Sequence, residues 1–171
     1  MDPIDTLSTI AEVSITLAGF AAIATSLQTR SVDGLVAARI RLQVLLVNSF
    51  GILLLALFAV LLLHAGFDSG VVWRCTSVVF LLMMGGNHLW ARRYLSMLDN
   101  EKFRLPRSFQ HASLIFSLSA IAVNIINLVY WAAFWPLLYG ITAALFTLSG
   151  SFTWLVVTYL ESLIPEDSKE G

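Results

Sequence analysis

Residues 4–28 read IDTLSTIAEVSITLAGFAAIATSLQ and decide the fold. The stretch is built mostly from apolar and small residues, and it exceeds the roughly 20 residues that a helix needs to cross a bilayer. Glu12 lies well inside it. Because a charge near the centre of a spanning helix costs at least about 2.5–3.5 kcal/mol, we expect water, a cation, a basic partner or a proton to compensate this carboxylate.

The composition of the whole chain agrees with a membrane protein. Of the 171 residues, 58% are hydrophobic and only 12% are charged, whereas soluble domains have about 25% charged residues. We therefore predict an all-α integral membrane protein, a bundle of about five transmembrane helices that forms one domain over residues 1–171. The predicted spans are 4–28, 39–64, 71–94, 109–130 and 137–163.

The division between the last two spans depends on an aromatic segment. Residues 109–163 are apolar almost throughout, and one helix of about 55 residues would be roughly 80 Å long, far more than a bilayer core. A turn must therefore interrupt them. The segment 131–136 combines tryptophans, which suit the membrane interface, with Pro136, which suits the start of a helix.

The basic residues predict the orientation. All but Arg74 of the ten Lys and Arg residues border the connections before the second and fourth spans or lie in the C-terminal tail. The positive-inside rule assigns that side to the cytoplasm. We therefore expect the N-terminus outside, the C-terminus in the cytoplasm, and a location in the inner (plasma) membrane of a bacterium.

The first span has two distinct sides at helical spacing. One side carries the polar and small residues Ser8, Glu12, Thr16, Gly19 and Ser26. Another carries the small residues Ala11, Ala18, Ala22 and Thr25. This pattern predicts a helix at the centre of the bundle, and Ser8, Glu12, Thr16 and Gly19 are the candidates for a pore wall that contacts ions.

The fourth span carries a line of polar and small residues at heptad spacing, which is typical of tight helix packing with hydrogen bonds between helices. We name this line the packing seam; it consists of Ser113, Ser117, Ala120, Asn124 and Asn127. The fifth span has a matching line, formed by Gly140, Ala144, Thr147 and Ser151. A water-filled path along these lines is the alternative interpretation.

Three interpretations of Glu12 remain open. It could form an ion pair with Arg74, or be protonated and hydrogen-bonded to a neighbouring helix. Copies of Glu12 from several subunits could instead form an acidic ring that attracts cations, as in cation channels. A proton relay is the third interpretation. His64 lies at the same end as Arg74 and could sense pH, because histidine changes charge near neutral pH, or it could have no role beyond packing.

Motifs of enzymes and cofactor sites are absent from the sequence, so we expect no enzyme, no cofactor and no metal site. A chain this small has little room for a conduction path within one copy, so we expect a pore on a symmetry axis between copies. The predicted function is a small homo-oligomeric ion channel, cation-conducting, with Glu12 and the first helix along the path. Its partners are the lipid bilayer, inorganic ions and further copies, not nucleic acid. The alternatives are a non-conducting accessory subunit and a small proton-coupled transporter.

Overall fold

A computed structural model describes residues 2–27, 35–95 and 106–162, and this part of the chain is helical apart from short turns. The helices are α1 (Pro3–Leu27), α2 (Leu35–His64), α3 (Ser69–Leu95), α4 (Arg107–Ile126), a π-helical turn (Asn127–Trp131) and α5 (Phe134–Ser162). Five stretches are long and apolar enough to cross a membrane, which indicates an integral membrane protein: Pro3–Ile23, Gln43–His64, Ser69–Asn87, Arg107–Trp131 and Phe134–Trp154. The described part of the chain is thus all-helical, with five helices long and apolar enough to cross a membrane, in agreement with the predicted number; the exact bounds of the spans stay predictions.

The helices pack around a shared apolar core. The largest fully buried side chains in the described part include Leu7, Ile52, Phe80, Leu137 and Ile141, which come from α1, α2, α3 and α5. Small residues such as Ala56, Ala59 and Ala144 are buried between them. Small side chains let helix backbones approach closely, which is how helices gain packing energy in lipid.

The position of α1 differs from the prediction. This helix packs mainly against α2 and makes a smaller contact with α5, whereas α3 contacts α2, α4 and α5. Within one copy α1 is therefore a peripheral helix, and the expectation that it lies at the centre is wrong. Periodicity showed that α1 has a special side, but it did not show towards which neighbour that side points.

The outer surface of the packed helices is strongly apolar. Leu54, Leu61 and Leu82 are 63%, 66% and 71% exposed. Contiguous apolar surface of this kind is rare on soluble monomers. It fits helices that are surrounded by lipid acyl chains.

The turn between α4 and α5 is shorter than the segment 131–136 predicted for it. Helix α4 ends in the π-helical turn, and Ala132 adopts a left-handed conformation with φ 47°. Helix α5 then begins at Phe134, so Pro136 lies inside its first turn and not at its start. Because a Cβ atom at Gly70 would be 3.6 Å from that of Ala132, the α2–α3 and α4–α5 turns lie at the same end of the helices.

Most of the predicted connections 29–38 and 96–108, and the acidic tail, lie outside the described residues. The same holds for the side chains of Thr25 and Ser26. The segregation of basic residues to one side therefore stays a prediction.

Candidate functional site

The two sides of α1 have different surroundings. Its buried positions recur at helical spacing and face α2 and α5; they are Thr6, Leu7, Ile10, Ala11, Ser14, Ala18 and Ala21. The opposite side is exposed. It carries Ser8, Glu12, Thr16 and Gly19, the four residues predicted to contact ions, and we name these four the polar face. The large apolar residues Ile15, Phe20 and Ile23 are exposed on the same side of the helix. The structure thus brings these four candidates together on one surface and turns that surface away from the other helices.

Four hydroxyl groups along α1 donate their protons to backbone carbonyl oxygens of the same helix or of the residue before it; they belong to Thr6, Thr9, Ser14 and Thr16. The Thr16 hydroxyl donates to the carbonyl oxygen of Glu12 at 2.8 Å, and the Thr9 hydroxyl donates to that of Asp5 at 3.0 Å. A hydroxyl oxygen keeps two lone pairs when it donates its single proton. On the exposed side, Thr16 can therefore only accept, which favours a cation or a hydrogen-bond donor as its neighbour.

The carboxylate of Glu12 has no partner in the described part of the chain. Glu12 and Arg74 are both exposed, and no ion pair joins them. Glu12 is nine residues after Pro3, which places it about 13 Å along the helix. The structure therefore does not bring together the two residues of the possible ion pair.

His64 is exposed at the end of α2, where one ring nitrogen lies 2.9 Å from the carbonyl oxygen of Val60. Asp68 follows in the same turn, but its Oδ2 accepts the backbone N–H of Gly70 at 2.9 Å. Asp68 thus caps the start of α3, a role that aspartate performs well. The geometry assigns the carboxylate to the helix end, and the pH-sensing interpretation of His64 stays a prediction.

The packing seam on α4 faces inward, in contrast to the polar face of α1. Ser117, Ala120, Asn124 and Asn127 are buried, and Ser113 is half-buried. At the end of the seam, Asn124 and Asn127 meet Ser77 of α3. The Ser77 hydroxyl donates to Asn124 Oδ1 at 3.1 Å, and Asn127 Nδ2 donates to Ser77 Oγ at 2.9 Å.

The same two asparagines also hold the α4–α5 turn. Asn124 Nδ2 donates to the carbonyl oxygens of Ala120 and Pro136, at 2.9 and 3.0 Å. Asn127 bonds both backbone groups of Ala133: its Nδ2 donates to the carbonyl oxygen at 3.1 Å, and its Oδ1 accepts the N–H at 2.9 Å. Every amide hydrogen and carbonyl oxygen of these two side chains has a partner. This network is therefore complete without water, and its geometry fits helix packing.

Ser77 is a member of the network that sequence reasoning missed. The signal for it was its spacing from Trp73, Phe80 and Met84, because these four positions share one side of α3 and all are buried. A second polar contact lies towards the other end of α3, where Asn48 Nδ2 donates to Asn87 Oδ1 at 3.2 Å. Next to it on α2, Ser49 Oγ is buried and has no hydrogen-bond partner in the structure.

Within the described residues, no group of three or more His, Cys, Asp or Glu side chains is placed to hold a metal ion. Comparison with protein-family models, with curated protein sequences and with solved structures gives no match. Function has to be inferred from the sites themselves, since a fold alone does not determine it.

Proposed function

We propose that the chain forms a small homo-oligomeric ion channel that conducts cations between copies, with the polar face of α1 along the path. The observation that carries the proposal is the exposure of Glu12 on the side of α1 that points away from the other helices. If this side of α1 faced lipid, inserting the charged Glu12 side chain into the membrane would cost at least about 2.5–3.5 kcal/mol of free energy. A closed ring of copies would remove the carboxylate from lipid and place it beside water.

The chemistry of the polar face favours cations. Several copies of Glu12 around a symmetry axis would form an acidic ring, which is the usual device of cation-selective pores. Thr16 would add an acceptor oxygen one turn away, because its proton is committed to the Glu12 carbonyl. Anions would be repelled by the Glu12 carboxylates and would find no donor in the Thr16 hydroxyl.

The interior of one copy supports a path between copies and not through a copy. Three polar side chains of the α3–α4–α5 interior, Ser77, Asn124 and Asn127, are fully buried and bonded to one another or to backbone groups. Opening a water-filled path there would require breaking this network. The orientation with the N-terminus outside, and the bacterial inner membrane as the location, are part of the same proposal.

A non-conducting accessory subunit is the second candidate, because the same polar face could pack against a partner helix that carries a basic residue. A small proton-coupled transporter would also use Glu12, as a site that gains and loses a proton. Ion flux and oligomeric state distinguish these functions from a channel.

The test is ion flux through purified protein in liposomes, together with the oligomeric state in detergent. Glu12→Gln keeps the size of the side chain and removes its charge, so we expect an intact oligomer with reduced cation flux or reduced cation-over-anion selectivity. Asp5→Asn removes the same charge near the helix start and is the matched control, with a smaller expected effect. A monomeric wild type, or unchanged flux and selectivity in Glu12→Gln, would reject the channel and favour the accessory subunit.

A further inference from the structure

Arg74 is a second charge on the outside of the helices. It is exposed on α3 between the exposed apolar residues Val71 and Val78, and it has no ion pair among the residues that the structure describes. Arg74 follows Ser69, the first residue of α3, by five positions, which places it about 8 Å along the helix. A guanidinium at this depth needs an anionic partner, and the described residues supply none.

The position of Arg74 beside the π-helical turn follows from its two helical neighbours. Gly70 and Ser77 lie one turn before and one turn after it on the same side of α3. A Cβ atom at Gly70 would touch Ala132 at 3.6 Å, and Ser77 Oγ accepts a hydrogen bond from Asn127 at 2.9 Å. Arg74 therefore borders the segment that runs from Asn127 to Ala132.

That segment exposes aromatic side chains. Tyr130 is 77% exposed, and Trp131 is exposed and contacts Trp135 with ring centroids 4.7 Å apart. Tyrosine and tryptophan with one apolar and one polar end concentrate at the headgroup level of membranes. The aromatic residues and the end of the helices thus place Arg74 within reach of the headgroups, towards which a long arginine side chain extends.

We infer that Arg74, with the adjacent surface of Tyr130 and Trp131, binds the phosphate of a phospholipid headgroup. The planar guanidinium donates two parallel hydrogen bonds to a phosphate, which fits this anion better than a lysine would. Phospholipid is the source of phosphate at this depth, and its acyl chains cover the apolar residues of α3 beside Arg74. The inference goes beyond the proposed function, because it holds whether or not the protein conducts ions.

Quenching of tryptophan fluorescence by phosphatidylglycerol with brominated acyl chains tests the site in detergent micelles, because Trp131 is part of the proposed site and Trp135 contacts Trp131. Arg74→Gln should raise the lipid concentration for half-maximal quenching about fivefold or more, since one arginine near a lipid surface contributes about 1 kcal/mol. Arg74→Lys keeps the positive charge but loses the planar guanidinium with its two parallel donors. It should therefore raise the lipid concentration for half-maximal quenching less than Arg74→Gln does. Arg107→Gln is the control: it removes an exposed charge at the start of α4, at the other end of this helix from Tyr130 and Trp131. It should leave the lipid concentration for half-maximal quenching unchanged.

Two measurements on the wild type keep the inference testable even where Arg74→Gln does not fold. Brominated diacylglycerol, which lacks the phosphate, should quench at least fivefold less effectively than brominated phosphatidylglycerol. Millimolar inorganic phosphate should not displace the lipid. Equal quenching by the two lipids, an unchanged value in Arg74→Gln, or displacement by inorganic phosphate would each overturn the assignment to a phospholipid headgroup.

Discussion

Replacement of Gly140 by alanine should destabilise the protein, because the added methyl group has no space. A Cβ atom at this position would lie 2.7 Å from Asn124 Nδ2 and 2.8 Å from each of two ring carbons of Phe80. Both neighbours are fully buried, and Asn124 is held by hydrogen bonds to Ser77, Ala120 and Pro136. Neither can move without disturbing the core or the network at the α4–α5 turn.

The size of the effect follows from three contributions. Forcing a methyl group into a filled core costs about 1–3 kcal/mol. Displacing Asn124 would weaken hydrogen bonds between helices, which average about 0.6 kcal/mol each in membrane proteins. Alanine recovers about 0.5–1 kcal/mol over glycine inside a helix. We therefore expect Gly140→Ala to lower the free energy of unfolding by about 1–3 kcal/mol in total.

The matched control is Gly85→Ala in α3, because a Cβ atom at Gly85 would meet nothing within 4 Å. That change should leave stability unchanged or raise it by up to about 1 kcal/mol, through helix propensity alone. The free energies of unfolding can be measured by titration of mixed micelles with sodium dodecyl sulfate, followed by tryptophan fluorescence. Equal stability of the two variants would refute the packing around Gly140 that the structure shows.

Two further predictions concern the α4–α5 turn and the orientation. Asn127→Ala removes the acceptor of the half-buried Ala133 N–H and both donors of a fully buried amide, and an unsatisfied buried polar group costs about 1–3 kcal/mol. In the same titration it should lower the free energy of unfolding more than Ser119→Ala, which removes two exposed hydrogen bonds, to Tyr139 and to the carbonyl oxygen of Phe116. Equal losses would contradict the network. The orientation can be tested with single cysteines in a Cys75→Ser background. Phe67→Cys and Tyr130→Cys, at the end predicted to lie outside, should react with an impermeant thiol reagent on intact cells, whereas Ser108→Cys should react only after permeabilisation. The opposite pattern would show that the N-terminus lies in the cytoplasm.

The sequence predicted the helices well because their lengths and their apolar composition are properties of single segments. It also singled out Asn124 and Asn127, and both side chains are buried. Their partners could not be predicted, because two of them are the backbone groups of Ala133 and Pro136, which the turn brings back towards α4. The left-handed conformation of Ala132 was equally hidden, since alanine is not the residue that usually adopts it.

Periodicity alone could not tell an inward polar side from an outward one. The packing seam of α4 and the polar face of α1 have the same kind of pattern, yet the seam is buried and the polar face is exposed. In a soluble protein the apolar side of a helix faces the core, and this orients the helix. Lipid acyl chains are as apolar as the core, so a polar line in a membrane helix indicates only that this side avoids lipid.

The exposed charges of Arg74 and Glu12 lie at different depths along their helices and therefore call for different partners. Arg74 lies about 8 Å from its helix end and has a long side chain, so its guanidinium can extend to the headgroups. Glu12 lies about 13 Å from the start of α1 and has a shorter side chain, so its carboxylate stays below them. Lipid can satisfy the first charge but not the second. The described residues around Glu12 supply no ion pair. This is why we propose a further copy of the same polar face as its partner, since an arrangement of copies around an axis would leave room for water and cations between the carboxylates.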